Sequence, residues 1–259
     1  MTIPEGLADK RVFVFDLDGT LARSKTPMDE EMNQILSQLL KKREVAIIGG
    51  GWFPVFKWQL LDQLTCGPEE LKHMHLMPTS GSRYINYAHG EWTSVYALEL
   101  DKEERSRIMD AFDKAFKEIN YQQPDKVYGE VIEDRGTQIT YSALGQQAPV
   151  DEKEAWSGSE QDRRREIVAV MKPLLPEFEI KIPGTTSIDI TREGVDKGYG
   201  VEQLSKQLGI PVGDMVFLGD ALYEGGNDEP VKRTGIQTIA VANQEETKQI
   251  LRAALAEME

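Results

Sequence analysis

Val12-Phe13-Val14-Phe15-Asp16-Leu17-Asp18-Gly19-Thr20 decides the fold of this chain. Four apolar residues without polar alternation suit a strand buried on both faces, as at the centre of a parallel sheet. The run ends abruptly in an acid, and ligands in open α/β sheets bind beyond the carboxyl ends of strands. Downstream, Thr26 is the expected helix cap, Pro27 the first helical position, and Asp29 and Glu30 favour the positive end of the dipole. Met28, Met32, Ile35, Leu36, Leu39 and Leu40 recur at helical spacing, and Val45 to Ile48 forms a second buried strand that stops at Gly49-Gly50-Gly51. Strand, helix and strand in that order imply a right-handed crossover.

The middle of the chain changes character. Tyr84 to Tyr96 reads as a hairpin around Ala88-His89-Gly90, and Asp101 to Ile119 as an amphipathic helix with Ile108, Met109, Phe112, Phe116 and Ile119 on one face. Strands are expected at 127–132 and 137–141, a helix near 161–175 after a polar stretch, and a further strand pair at 178–182 and 185–190. The α/β pattern resumes with a helix from Gly198 to Leu208, strands at Met215 to Gly219 and Gln237 to Ala242, and a last helix from Glu245. The whole predicts an α/β protein: a Rossmann-like parallel-sheet core, residues 1–88 and 188–259, interrupted by an α+β domain at 89–187.

Charge and cysteine content narrow the function. With 44 acidic against 30 basic residues the formal charge is −14, a field that opposes nucleic acid and anionic membranes. Cys66 is the only cysteine, so no intrachain disulfide forms, and no segment has the length of an apolar membrane span. A cytoplasmic protein, monomer or homodimer, is expected. The acidic field would also repel a phosphorylated substrate, so a site for one needs its own positive charge.

Two carboxylates at Asp16 and Asp18 can divide the labour of phosphoryl transfer, one attacking phosphorus and the other moving the proton. Together with the strand before it, Asp16-Leu17-Asp18-Gly19-Thr20 resembles the first motif of the haloacid dehalogenase superfamily of phosphatases and phosphomutases. That resemblance implies three further stations. After the second strand stands Gly49-Gly50-Gly51, similar to the Gly-Gly-Ser of eukaryotic-type phosphomannomutases, with Gly51 in place of the Ser; backbone N–H groups there would cradle phosphate. Lys197, in Gly194-Val195-Asp196-Lys197-Gly198, looks like the family's third-motif lysine. Like charges 4 Å apart repel by roughly 4 kcal/mol at an effective dielectric near 20, so a lysine and a divalent metal beside a phosphate dianion are physically reasonable. Phe217-Leu218-Gly219-Asp220 with Glu224-Gly225-Gly226-Asn227-Asp228 completes the set. By the resemblance Asp16, Asp18 and Lys197 are catalytic, Asp16, Asp18, Asp220 and Asp228 surround a metal, and Asn227 faces the phosphate. Asp228 is the member better suited to orienting Lys197 or bound water. An all-oxygen site of this kind points to Mg²⁺. His73 and His75 have no third ligand in view and read as solvent-facing.

The inserted domain falls where the superfamily's larger caps lie. Arg135-Gly136-Thr137 resembles the phosphomannomutase cap strand, and Ser187 and Asp189 the segment that contacts sugar or its phosphate. The next cap arginine of that family falls at Ser142, and the one after has no counterpart near Asp151 to Lys153. Arg163-Arg164-Arg165 could in principle replace the missing anchors, although they read as the solvated start of a helix. A cap short of anchors would let a bisphosphate intermediate escape, which favours a phosphatase acting on a hexose phosphate over a mutase. A non-catalytic phosphosugar-binding protein would be expected to lack a catalytic acid, and Asp16, Asp18, Lys197, Asp220 and Asp228 are all present. Trp52, Phe53 and Trp58 are expected either as helix-packing residues or as an apolar wall of the pocket.

Overall fold

A computed structural model describes residues 6–258. Its elements run β1 (Val12–Phe15), α1 (Glu30–Leu40), β2 (Glu44–Ile48), α2 (Phe53–Gln59), α3 (Pro68–Leu71), β3 (Met74–Met77), β4 (Arg83–Ala88) and β5 (Glu91–Ala97). There follow α4 (Lys102–Glu118), β6 (Ile132–Asp134), β7 (Ile139–Ser142), α5 (Val150–Trp156), α6 (Arg164–Met171), β8 (Phe178–Lys181) and β9 (Ser187–Arg192). The last are α7 (Lys197–Leu208), β10 (Met215–Gly219), β11 (Gln237–Ala240) and α8 (Gln244–Glu257).

The chain forms two compact units, one reaching Ala97 and resuming at Val195, the other Leu98–Gly194. The first holds a seven-stranded sheet in the order β11-β10-β1-β2-β3-β4-β5. Strands β11 to β3 are parallel, while β4 and β5 add an antiparallel edge. Every residue of β1 is fully buried. Phe13 and Phe15 face a cluster with Leu36, Leu39 and Ile47; Val12 and Val14 face one with Val201 and Phe217. Burying side chains of this size contributes about 1.5–3 kcal/mol each. Strand order reverses at β1, which pairs with β2 on one side and β10 on the other. The carboxyl ends of β1 and β10 therefore meet at a topological switch point.

The second unit is a four-stranded antiparallel sheet, β6-β7-β9-β8. Ile139, Tyr141, Ile180, Ile188 and Ile190 join Ile108, Phe112, Ile167 and Met171 of α4 and α6 in one core. The alternate residues Thr140, Ser142, Ser187 and Asp189 give the opposite face a polar character.

Several expectations need correction. The hairpin at Tyr84 to Tyr96 exists, but β4 pairs with β3, so both its strands belong to the core sheet. Likewise β9 pairs with β7 and β8. The junctions between the units accordingly fall at 97/98 and 194/195, not at 88/89 and 187/188. Asp29, not Thr26, caps α1, because its carboxylate reaches the Met32 N–H at 2.9 Å. Thr26 instead donates its hydroxyl to the Arg23 carbonyl, and Pro27 precedes the helix. Met109 is exposed, and Ala111 and Ala115 take its place on the buried face of α4. Residues 127–131 are not a strand, and the polar stretch after Gly145 contains the short helix α5.

His75 is buried within β3 and does not face solvent. Its Nε2 lies 2.8 Å from Glu44 Oε2 and its Nδ1 2.8 Å from the Tyr84 hydroxyl, while His73 Nδ1 lies 2.9 Å from Glu44 Oε1. Burial, and then the Glu44 carboxylate, push the Tyr84 phenol up to about 12. Tyr84 thus stays protonated and can donate to Nδ1, which leaves Nε2–H for Glu44.

Candidate active site

The two short apolar strands β1 and β10 end in acids one step apart. Phe15 pairs with Leu218, and the Asp16 N–H extends that ladder by donating to the Leu218 carbonyl at 3.0 Å. Asp220 follows the end of β10 by one residue. Lys197 arrives from elsewhere, as the first residue of α7, whose N-cap Asp196 accepts from the Tyr199 N–H at 3.0 Å and pairs with Arg233.

Lys197 Nζ donates to Asp16 Oδ1 at 2.5 Å and to Asp228 Oδ1 at 2.5 Å, and all three groups are buried. Desolvation pushes the Asp16 carboxyl up to about 7; Lys197 opposes this and Asp228 adds to it. Burial pulls the Lys197 ammonium down, but the two carboxylates outweigh it and its net direction is up. The Asp220 carboxyl is also raised, by desolvation and then by Asp228.

Asp16, Asp220 and Asp228 each place a carboxylate oxygen within 4.8 Å of the others, the one metal-capable group of three among the described residues. An all-carboxylate donor set suits a hard divalent cation. Gly19 makes room for the Asp220 carboxylate: with φ +84°, a Cβ there would stand 2.3 Å from Asp220 Oδ2. Asp228 is the most committed of the three, since its Oδ1 takes Lys197 and its Oδ2 accepts from the Ala221 N–H at 3.0 Å. Gly219 permits that approach, because a Cβ on it would lie 2.2 Å from Asp228 Oδ2. Asp18 lies outside this trio. Its Oδ1 accepts from the Lys25 N–H at 2.8 Å and from Gln59 Nε2 at 3.0 Å.

The triple-glycine loop is fastened from behind. The Gly49 N–H donates to the Met77 carbonyl at 3.3 Å, while the Gly49 and Gly51 carbonyls accept from the N–H groups of Ser80 and Thr79. Asn227 is exposed on the loop between Asp220 and Asp228. Phe53 packs against the sheet core, whereas Trp58 is exposed.

Arg135, Ser187 and Asp189 lie in the second unit. Asp189 pairs with Thr140 across the sheet and accepts its hydroxyl at 2.8 Å; Ser187 pairs with Ser142. Burial raises the Asp189 carboxyl, and the charge of Arg135 partly offsets it. Arg135 Nε donates to Glu133 Oε2 at 2.6 Å, and its Nη2 to Gln146 Oε1 at 3.3 Å.

Three residues are buried where the sequence gives no sign of it. Gln59 looks like any polar residue of a short helix yet is fully buried on Asp18. Lys153, in the stretch without a counterpart of the cap arginine, is buried with Nζ 3.0 Å from the Gln146 carbonyl. Arg164 is buried rather than solvated: it grips Asp162, lies 5.4 Å from the Trp156 ring centre, and donates to the Gly184 and Ser187 carbonyls. Arg163 is half-exposed and pairs with Glu166, and Arg165 faces solvent as expected.

The described helices include none long and apolar enough to cross a membrane. Residues 13–247 match the family model of haloacid dehalogenase-like hydrolases. Among curated proteins the chain is 26% identical to a phosphomannomutase of Encephalitozoon cuniculi (strain GB-M1) over 250 residues, 92% of this chain and 91% of that one. It is 25% identical to Mus musculus phosphomannomutase 1 over 83% of this chain and 80% of that one. Its fold is similar to that of an N-terminally truncated, IMP-bound IMP-nucleotidase of Plasmodium falciparum (TM-score 0.70, 17% identity, 96% and 68% of the two chains). It is also similar to a trehalose-6-phosphate phosphatase of Aspergillus fumigatus (TM-score 0.57, 16% identity, 96% and 93%).

Proposed function

The chain belongs to the haloacid dehalogenase-like hydrolase family, and on that footing we propose that it is a Mg²⁺-dependent phosphatase that cleaves a small phosphorylated metabolite, a hexose phosphate in the first instance, through an aspartyl-phosphate at Asp16. The observation that carries this reading is the buried Lys197 bridging Asp16 and Asp228, with Asp220 alongside. One Asp16 oxygen is held by Lys197, which leaves the other to attack phosphorus as the ester P–O bond breaks. Asp18 gives its proton to the departing oxygen. It then takes a proton from the water that attacks the aspartyl-phosphate, and the P–O bond to Asp16 breaks to release phosphate. A divalent ion held by Asp16 and Asp220, with Asp228 behind them, would offset the charge of the phosphoryl group.

In the second unit, the pairing of Arg135 with Glu133 supports hydrolysis over mutation. An arginine already neutralised grips a distant phosphate less firmly, and a bisphosphate intermediate is then lost to solution. The 26% identity to a phosphomannomutase favours a second reading, a phosphohexomutase. A non-catalytic phosphosugar-binding protein would not need Asp16, Asp18, Lys197, Asp220 and Asp228 all retained.

A panel of phosphorylated sugars, assayed for free phosphate with and without hexose 1,6-bisphosphate, separates these readings. The expected result is Mg²⁺-dependent phosphate release that disappears in Asp16→Asn. Interconversion of hexose 1- and 6-phosphates without phosphate release, dependent on the bisphosphate, would establish the mutase instead. Activity that persists in Asp16→Asn would overturn both.

A further inference from the structure

We infer that Gln59 is the positioning residue of Asp18: it holds the carboxyl group by Oδ1 so that Oδ2 alone moves the proton. The inference rests on reading Asp18 as the acid and base of the reaction. Gln59 ends α2 and is fully buried. Its Nε2 has two hydrogens and both are spent, on Asp18 Oδ1 at 3.0 Å and on the Thr26 carbonyl at 3.1 Å. The reverse orientation of the amide would set its oxygen against two acceptors, so the chemistry of the neighbours fixes which atom faces Asp18.

The Lys25 N–H reaches the same Oδ1 at 2.8 Å. A carboxyl oxygen that accepts two N–H groups is a poor place for the transferable proton, which is thereby confined to Oδ2. The arrangement also links the helix to the catalytic loop, since the Gln59 carbonyl accepts from the Met28 N–H at 2.8 Å. Gln59 Oε1 is buried without a partner. An unsatisfied buried acceptor is costly, and a methionine of similar length would pack there without it. The hydrogen bond to Asp18 is what the amide adds.

The test compares the wild type with Gln59→Met in Mg²⁺, using 4-nitrophenyl phosphate, whose leaving group departs unaided, and phenyl phosphate, whose leaving group needs a proton. General acid catalysis supplies about 10²–10⁴-fold, so single-turnover formation of the aspartyl-phosphate should fall about 100-fold with phenyl phosphate, under about tenfold with the nitrophenyl ester, and with little change in KM. Equal losses with both esters, or none, would overturn the inference, because a packing defect does not distinguish leaving groups. A second measurement needs no turnover: the Lys25 amide resonance, on the other donor to Oδ1, should move in Gln59→Met. If the wild type cleaves neither ester, the phosphatase reading fails and the Lys25 resonance decides alone, a shift upholding the positioning and an unchanged resonance overturning it.

Discussion

A Cβ placed on Gly19 would stand 2.3 Å from Asp220 Oδ2, with Gly19 already at φ +84°. The glycine of the first motif thus makes space for the acid of the last. Gly19→Ala adds a left-handed non-glycine residue, at about 1–2 kcal/mol, and displaces Asp220 besides. Expected are a midpoint shift in urea denaturation of that order and a marked rise in the Mg²⁺ concentration needed for half-maximal phosphate release. Unchanged Mg²⁺ dependence would show that Asp220 is not a metal-holding group.

Lys197 is shared by two buried carboxylates. Removing one partner of a buried ion pair costs about 3–5 kcal/mol, because the remaining charge is left unpaired. Lys197→Met should lose that much stability and all measurable turnover. Combining it with Asp16→Asn should recover part of the stability and none of the activity. Denaturant melts of the four proteins in a double-mutant cycle check this; strict additivity would mean the pair is not coupled.

The Asp16 carboxyl, raised by burial from 3.8 to about 7, gives the metal-free protein a pH dependence of definite sign. Between those values the folded state keeps a proton that the unfolded chain has released, so this group makes stability fall as pH rises. Asp16→Asn removes that contribution. In EDTA its melting temperature relative to wild type should rise from pH 5 to about pH 7 and level off above it. A difference that stays flat across this range would contradict the raised value.

Glu133 neutralises Arg135 at 2.6 Å. Glu133→Gln should remove the opposing charge beside the guanidinium and so strengthen its pull on an anionic ligand, and a gain of about 1.5 kcal/mol corresponds to roughly tenfold tighter binding. Hexose 1,6-bisphosphate inhibition of phosphate release measures it. No gain in affinity would place Arg135 away from the substrate.

Arg164 holds Asp162 at 2.6 Å and reaches the carbonyls of Gly184 and Ser187. Arg164→Met keeps the bulk but strands Asp162 and two carbonyls, for a loss of about 2–4 kcal/mol. Proteolysis should then begin between Lys181 and Ser187. A variant as resistant as wild type would show that this buried arginine adds little.

The parts of the sequence that read correctly are those where one force dominates. Val12 to Phe15 and Met215 to Gly219 are apolar on both faces, so burial alone fixes them as central strands, and the acids after them inherit their position. Met74 to Met77 has only four residues and carries His75, whose burial depends on Glu44 and Tyr84 from other strands. Such partners lie in pairing, not in local pattern. The hairpin at Tyr84 to Tyr96 was visible as a hairpin, but its attachment to β3 was not, since an antiparallel edge strand has the same alternation wherever it docks. Gln59 and Arg164 were illegible for a similar reason: a polar residue on a short helix gives no sign of being buried until its partners are known.

The pairing of Val12 with Met215 bears on how the protein is made. During synthesis β1 emerges early and finds β2 within reach, but its other edge waits for a strand some two hundred residues later. Until then four fully apolar residues present an open, unpaired border, the kind of edge on which partly made chains associate. A nascent chain released before Met215 would lack the strand that pairs with the other edge of β1, so premature termination should yield aggregates, not a folded fragment.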